Sequence, residues 1–412
     1  MGKNGELLVV LAVAALLVWF VPVAVHADVS KNEVEVQSFR LSVRPDADTT
    51  SVPIRDAKVN VYGIGTVTGK TTLLTTVVSD SVGKISNLKL KSDEEFDQIR
   101  FQYYFGNDER GYVIKQTDYH YNVNHTRTIP DNRVINGNWT SSFSGDNGTP
   151  SFYYYLTMLN SVYDDVYGNQ VEAVEAASSY IDTSQISFKP IDLIYDTTID
   201  QSGNSFNRNG KGDVIRSVIC VNTDNITDWD LTNAVTHEWA HWNMYRATGM
   251  PGGEYSSHYT YNANPEVSYK EGWAIFQRHR YSCGLTNEFT NDTQVQNDAR
   301  LFGTSTNFTV KGALYDIYDI NYDDYAQLEN DSFDIYQLFV GDEATLSRKN
   351  LVSEGLMYSL MVNSRATTFE GFYQYLIQNY LSGTDNQVLK AELVKAMAVN
   401  GIDENGNFML KG

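Results

Sequence analysis

The stretch Thr236-His237-Glu238-Trp239-Ala240-His241 decides how the rest of the chain is read. An α-helix turns once per 3.6 residues, so His237 and His241, four apart, project from one face and can reach a single metal ion. Glu238 lies about 100° round the helix from His237, badly placed as an equal third ligand and well placed to touch a water beside that metal. The flanks support an amphipathic helix over about 228–248. Thr227 with Asp230 three residues on resembles a capping pair, and Leu231, Ala234, Val235, Trp239 and Trp242 recur at helical spacing; Gly249 then supplies a stop. Two neutral imidazoles suit zinc, one ion per chain, and a catalytic zinc needs a third protein ligand and an open position.

Downstream, Asn264-Pro265-Glu266 is a strong helix start, with Asn as cap, Pro in the first turn and an acid facing the positive helix end. The helix it opens carries Lys270-Glu271-Gly272-Trp273-Ala274-Ile275-Phe276. Glu271 is the best third ligand, because Trp273, Ala274 and Phe276 mark its surroundings as buried, where an unpaired carboxylate is costly. Glu266, in a first turn that is usually exposed, is the runner-up.

His237-Glu238-x-x-His241, followed after 29 intervening residues by Glu271-Gly272-Trp273-Ala274, resembles the gluzincins, zinc metallopeptidases whose third ligand is a glutamate on a second helix. The resemblance covers about 150–400. It implies an α+β zincin-like catalytic domain in which His237, His241 and Glu271 hold zinc and Glu238 is the general base for hydrolysis of a peptide bond. Metzincins place a glycine and a third histidine three and six residues after the second histidine; here those positions are Met244 and Ala247, which excludes that branch. Thermolysin-like gluzincins place an aspartate four residues after the glutamate, where this chain has Ile275, so the histidines need another partner, with Asp316 and Asp319 as candidates. An oxyanion donor is also needed. His258 is the first candidate, beside Tyr259 and Tyr261 in the Gly/Tyr/Ser-rich segment 249–263; Tyr315 and Tyr318 are alternatives.

The chain is expected to be multidomain. Residues 1–27 hold Lys3, an apolar run over 7–25 interrupted by Pro22, and the ending Val25-His26-Ala27, which read as a cleaved export signal. The run is also long enough to anchor the chain in a membrane. Either way the body lies outside the cell, secreted or at the surface. Residues 28–127 show short alternating runs separated by Gly, Asp, Ser and Pro, the pattern of an N-terminal all-β sandwich. Pro53-Ile54-x-x-Ala57-x-Val59-x-Val61, followed by Ser79-Asp80-x-x-Gly83, resembles the prealbumin-like sandwich domains that accompany secreted carboxypeptidases. Its His120 and His125 read as surface residues rather than ligands. Gly69-Lys70-Thr71 looks superficially like a phosphate loop, but position 64 is Ile where the first glycine belongs.

Residues 128–150, with Asn-Gly, Ser-Gly and Asp-Asn-Gly-Thr-Pro, read as a turn-rich linker, and 151–412 as the peptidase domain. That domain opens with a helix and two strand candidates, around 186–195 and 213–221. The second lies just ahead of the metal helix, where it could pair with an extended peptide. Between them the loop over 200–212 offers Asp and Asn oxygens to calcium but lacks regular ligand spacing and reads as a hairpin loop. Amphipathic segments at 333–340, 351–362, 368–381 and 387–399 make a mainly helical C-terminal lobe.

Composition narrows the partners. The chain has 51 acidic and 31 basic residues, a formal charge of −20, which excludes nucleic acid and an anionic membrane surface and leaves a peptide or protein substrate. Seven Asn-x-Ser/Thr sequons, at Asn124, Asn138, Asn147, Asn225, Asn291, Asn307 and Asn330, suit a glycoprotein if the host modifies them. Cys220 and Cys283 are the two cysteines, either bridged across the flanks of the site or two separate thiols. Two functions of different class fit: an exported zinc-dependent peptidase, or a cell-surface adhesion or scaffold protein with a catalytically inactive peptidase-like domain. The intact Glu238 favours the first.

Overall fold

The computed structural model describes residues 30–44, 51–114, 119–142, 156, 159–195, 205–207, 218–221, 228–249, 261–282, 295, 297–318, 333–341 and 346–409. The expected export signal lies outside these residues, as do His258, Tyr259, Asp319 and Cys283. The N-terminal part is β-rich and the C-terminal part helical, as expected.

Strand β1 (Glu33–Arg44) illustrates how the alternation becomes structure. Val34 and Val36 point inward from even positions and Phe39, Leu41 and Val43 from odd ones, so one residue between them must be extra. The pairing of β1 shifts register there, between Val36 and Ser38. The strands that follow are β2 (Val52–Pro53), β3 (Lys58–Ile64), β4 (Thr71–Val78), β5 (Lys84–Lys91), β6 (Gln98–Tyr104), β7 (Gly106–Asn107), β8 (Gly111–Ile114), β9 (Asn122–Thr128) and β10 (Val134–Ser142). In one sheet β1 lies between β10 on one side and β2 and β5 on the other; a second runs β4-β3-β6-β9, all antiparallel. The two faces meet where Phe39 of β1 stacks on Phe101 of β6, ring centroids 3.9 Å apart.

Within the linker expected over 128–150, Val134–Ser142 forms strand β10, and 143–150 lie outside the described residues. β10 pairs in parallel with β1 from Glu35↔Val134 to Arg44↔Ser142. Gly137 takes φ +147, a conformation glycine adopts readily, so the strand continues where the Asn-Gly pair predicted a turn. Long-range pairing overrides the local preference. Arg133 clasps the entry to β10: buried, it donates to the carbonyls of Glu33, Lys31 and Phe96 and lies over the Phe96 ring at 4.9 Å. Arg133→Ala is expected to destabilise the fold by about 2–3 kcal/mol, since three hydrogen bonds to backbone carbonyls are lost, the one to Phe96 buried, together with the guanidinium packing on the Phe96 ring. Urea unfolding measures this, and an unchanged midpoint would show the clasp to be dispensable.

His120 and His125, expected at the surface, are both ring-stacked. His120 lies on Tyr112 at 4.0 Å, and half-buried His125 sits between Phe39 (5.7 Å) and Trp139 (4.1 Å). Burial, and secondarily Arg127, hold the His125 pKa below its ordinary 6.5. The unfolded chain therefore binds this proton first, and the folded state loses stability as pH falls below about 6.5. His125→Phe, which keeps the stack, is expected to flatten the thermal midpoint against pH in that window. An identical slope in the variant would assign it elsewhere.

The β-rich part does not end at 127 as a separate unit. A third sheet, of order β12-β13-β11-β8-β7, joins β7 and β8 to β11 (Asp192–Tyr195), β12 (Ser205–Asn207) and β13 (Val218–Val221). β8 pairs in parallel with β11. The approach is so close that a Cβ on Gly111, φ +109, would lie 1.7 Å from the Ile191 carbonyl oxygen. The strand expected at 213–221 is β13. Within the loop over 200–212, β12 forms a hairpin partner for β13; the loop's remaining residues lie outside those described.

The helices are α1 (Val171–Ala177), continuing a π-helical segment Val162–Gln170, then α2 (Asp228–Thr248), α3 (Pro265–Ser282), α4 (Asn307–Tyr318), α5 (Ile335–Phe339), α6 (Leu346–Ser364), α7 (Phe369–Tyr380) and α8 (Gln387–Val399). α2 joins two hydrophobic cores. Val235, Trp239 and Trp242 pack into the core of the β-rich part, whereas Ala240 and Met244 belong to a core with Tyr269, Trp273 and Phe276 of α3 and the helices after it. No described helix is long and apolar enough to cross a membrane. Of the sequons on described residues, Asn124 and Asn138 are exposed, but Asn307 is buried at the start of α4 and is not available to a glycan in the folded chain.

Candidate metal centre

α2 supplies His237, Glu238 and His241, and its bounds are those the spacing predicts. It ends where Gly249, φ +81, donates its N–H to the Tyr245 carbonyl at 2.9 Å. The expected amphipathic character is not what the structure has. From Asn233 to Met244 every residue except His237 is buried, because the helix has a core on each side. Solvent reaches this stretch at the first histidine. α3 supplies Glu271 and starts at the predicted cap, where Asn264 Oδ1 accepts from the N–H groups of Glu266 (3.0 Å) and Val267 (3.1 Å).

The two helices bring three donor atoms together. Glu271 Oε2 lies 3.4 Å from His237 Nε2 and 3.4 Å from His241 Nε2, and the ligand atoms of all three lie within 4.8 Å of one another. The imidazole planes cross at 87° with centroids 4.8 Å apart, so the nitrogens converge without the rings stacking. Side-chain exposure is 18% for His237, 7% for His241 and 6% for Glu271. Among the described residues this is the one group of His, Cys, Asp and Glu side chains that could hold a metal ion. A tetrahedral ion with bonds of about 2.0–2.1 Å needs ligand atoms roughly 3.3–3.4 Å apart, which the two carboxylate–imidazole distances already meet. Glu238 is buried beside the pair on the same helix.

The surroundings differ from those of thermolysin-like sites. Nδ1 of both histidines is buried without a hydrogen-bond partner among the described residues, and Ile275 offers none where those enzymes have a carboxylate. Of the two aspartates expected to compensate, Asp316 accepts from Asn400 Nδ2 at 2.6 Å in the C-terminal turn, and Asp319 lies outside the described residues. Of the oxyanion candidates, His258 and Tyr259 lie outside the described residues. Exposed Tyr261 donates to Asp298 and lies under the Arg300 guanidinium at 3.8 Å; Tyr318 donates to the Asn350 carbonyl, and Tyr315 is buried in the helical core. Glu266 is half-buried in the first turn of α3 and is not in the donor group. Cys220 sits on β13 opposite Ile194 and Ser205. β13, expected to border a peptide, has both edges taken, by β12 and β11; among the described residues the terminal strands of this sheet are β12 and β7.

Sequence reasoning missed a supporting residue. Gly272, next to Glu271, lies where α3 meets α4: a Cβ there would stand 2.7 Å from Val310 Cγ1 and 3.0 Å from the Asn307 carbonyl oxygen. A glycine inside a helical pattern was the available signal. Gly272→Ala gains about 1 kcal/mol in helix propensity but loses about 1–3 kcal/mol to overpacking. The net expectation is a lower thermal midpoint and, because the displaced backbone carries Glu271, metal affinity weaker by about tenfold in chelator competition. Unaltered affinity and midpoint would mean that α4 yields freely.

No protein-family model matches the chain, and no curated protein is similar to it. Among solved structures, a 9R-lipoxygenase from Cyanothece PCC8801 aligns at 9% identity over 92% of this chain and 68% of that one, with a TM-score of 0.17. A similarity at that level carries no argument about fold or function.

Proposed function

We propose that this protein is an exported zinc-dependent peptidase of the gluzincin type, its N-terminal part a prealbumin-like sandwich and its C-terminal part zincin-like. The observation that carries the reading is the convergence of His237 Nε2, His241 Nε2 and Glu271 Oε2 beside a buried Glu238. Two imidazoles and one carboxylate are a donor set suited to catalytic zinc. Zinc held there would polarise a scissile carbonyl and lower the pKa of a bound water from about 16 towards 7. His237 and His241 would hold the ion from one helix face, and Glu271 would balance part of its charge from the other helix. Glu238 takes the proton of the attacking water on a carboxylate oxygen and delivers it to the leaving nitrogen. Burial of Glu238, His241 and Glu271 between α2 and α3 would strengthen each of these interactions.

The test is metal analysis of the purified protein together with digestion of a mixed peptide library. About one zinc per chain, cleavage, and loss of cleavage on chelation with recovery on adding zinc are expected. Protein that holds zinc and cuts nothing would overturn the peptidase reading in favour of an inactive surface scaffold.

A further inference from the structure

The outer face of the sheet β4-β3-β6-β9 is unlike the rest of this acidic chain. Inward positions on β3 and β6 are buried, and the alternate outward positions of the four strands carry amides, hydroxyls, Lys58 and Arg100, with Ile64 at the end of β3 and exposed Leu73 and Val78 on the edge strand β4, but no carboxylate. At its centre is Gln102, whose Oε1 accepts from the Tyr62 hydroxyl (3.1 Å) and the Tyr104 hydroxyl (2.9 Å). Asn60 Nδ2 donates to the same two oxygens at 3.1 and 3.4 Å, and Gln102 Nε2 donates to Asn122 at 3.2 Å. The two tyrosines, four residues apart along the strands by backbone register, thus point their hydroxyls at one another across Gln102 Oε1, which accepts from both. Arg100 lies over the Tyr62 ring at 4.5 Å; Lys58 lies 6.0 Å from the Tyr104 ring and is tied to Asp108 at 3.3 Å.

We propose that this face binds an uncharged polysaccharide lying along the row from Tyr62 to Tyr104. Sugar hydroxyls pair with amides and phenols, and the apolar faces of pyranose rings pack on tyrosine. Mutual hydrogen bonds already hold these side chains, so binding orders few rotamers. A face free of carboxylates on a chain of formal charge −20 does not repel a neutral polyol, and two cations, each beside a ring, are too few to select a polyanion. A protein partner would need an apolar centre, where this face has its amide row; its apolar side chains, Leu73, Val78 and Ile64, lie on the edge strand β4 and at the end of β3.

Affinity electrophoresis of the full chain tests this in gels containing xylan, mixed-linkage β-glucan, mannan or hydroxyethyl cellulose, with polygalacturonate as the anionic probe. Retardation by at least one neutral polymer is expected. Gln102→Ala and Tyr104→Ala, assayed well below their thermal midpoints, should each weaken it about tenfold, the effect of one lost hydrogen bond or ring contact to the polymer. Lys89→Ala, on the exposed face of the other sheet, should leave it unchanged. Retardation should also survive chelation and the Glu238→Gln substitution, so this test stands whether or not the peptidase reading does. The proposal is overturned by passage unretarded through all four neutral gels, by retardation in polygalacturonate alone, or by full retardation of the Gln102→Ala/Tyr104→Ala double variant.

Discussion

Glu238→Gln is expected to keep its zinc and lose peptide cleavage by about 10²–10⁴-fold, the usual contribution of a positioned general base. The substitution preserves shape at a buried position and leaves His237, His241 and Glu271 untouched, so loss of activity cannot be ascribed to loss of metal. The paired readouts are zinc content by mass spectrometry and kcat/KM on a peptide selected from the library. A variant that retains both zinc and rate would move the base to another residue. One that loses zinc would make Glu238 a ligand, contrary to its position a third of a turn from His237.

Glu271→Ala should abolish tight metal binding. The carboxylate is the sole donor that α3 brings to the group and lies equally close to both imidazoles. Removing it leaves two ligands from one helix face. Losing a mere partner of a ligand already weakens metal binding by about 10–100-fold, and loss of the ligand itself exceeds that. Zinc at 100 times its Kd stabilises a folded protein by about 2.7 kcal/mol, so the wild-type thermal midpoint should climb on adding zinc and that of Glu271→Ala should not. An equal rise in the variant would pass the role of third ligand to another carboxylate, with Glu266 the first to examine.

Much of the site was legible because its signals are local. The spacing of His237 and His241, the stop at Gly249 and the Asn264-Pro265 start all act within one or two helical turns, and α2 and α3 form at those positions. The last helix, expected at 387–399, is α8, Gln387–Val399, for the same reason. Helix α4 gave no such signal. Eleven of its twelve residues are buried, Lys311 and Asp316 among them, so no polar stripe marks a solvent face. β10 was hidden by an Asn-Gly pair that local chemistry reads as a turn, and the pairing of β8 with β11 depends on residues 80 apart, Val113 with Leu193. The convergence of the three donor atoms follows the sequence motif. The environment of the Nδ1 atoms does not, because it is set by packing between distant segments.

The placement of α2 between two cores has a consequence for the order in which the molecule assembles. One flank of this helix is completed by strands that pair across about a hundred residues, as Glu35 does with Val134, and the other by helices that lie after it in the chain. Loops of that length close slowly relative to the formation of a lone helix. The imidazole pair on α2 is therefore made early, and Glu271, 30 residues further on, is fixed against it only when α3 packs into the core completed by the later helices. Refolding monitored by tryptophan fluorescence should run to completion without metal, with zinc affinity appearing only in the last phase. Metal capture would then be the final step of maturation rather than its nucleus.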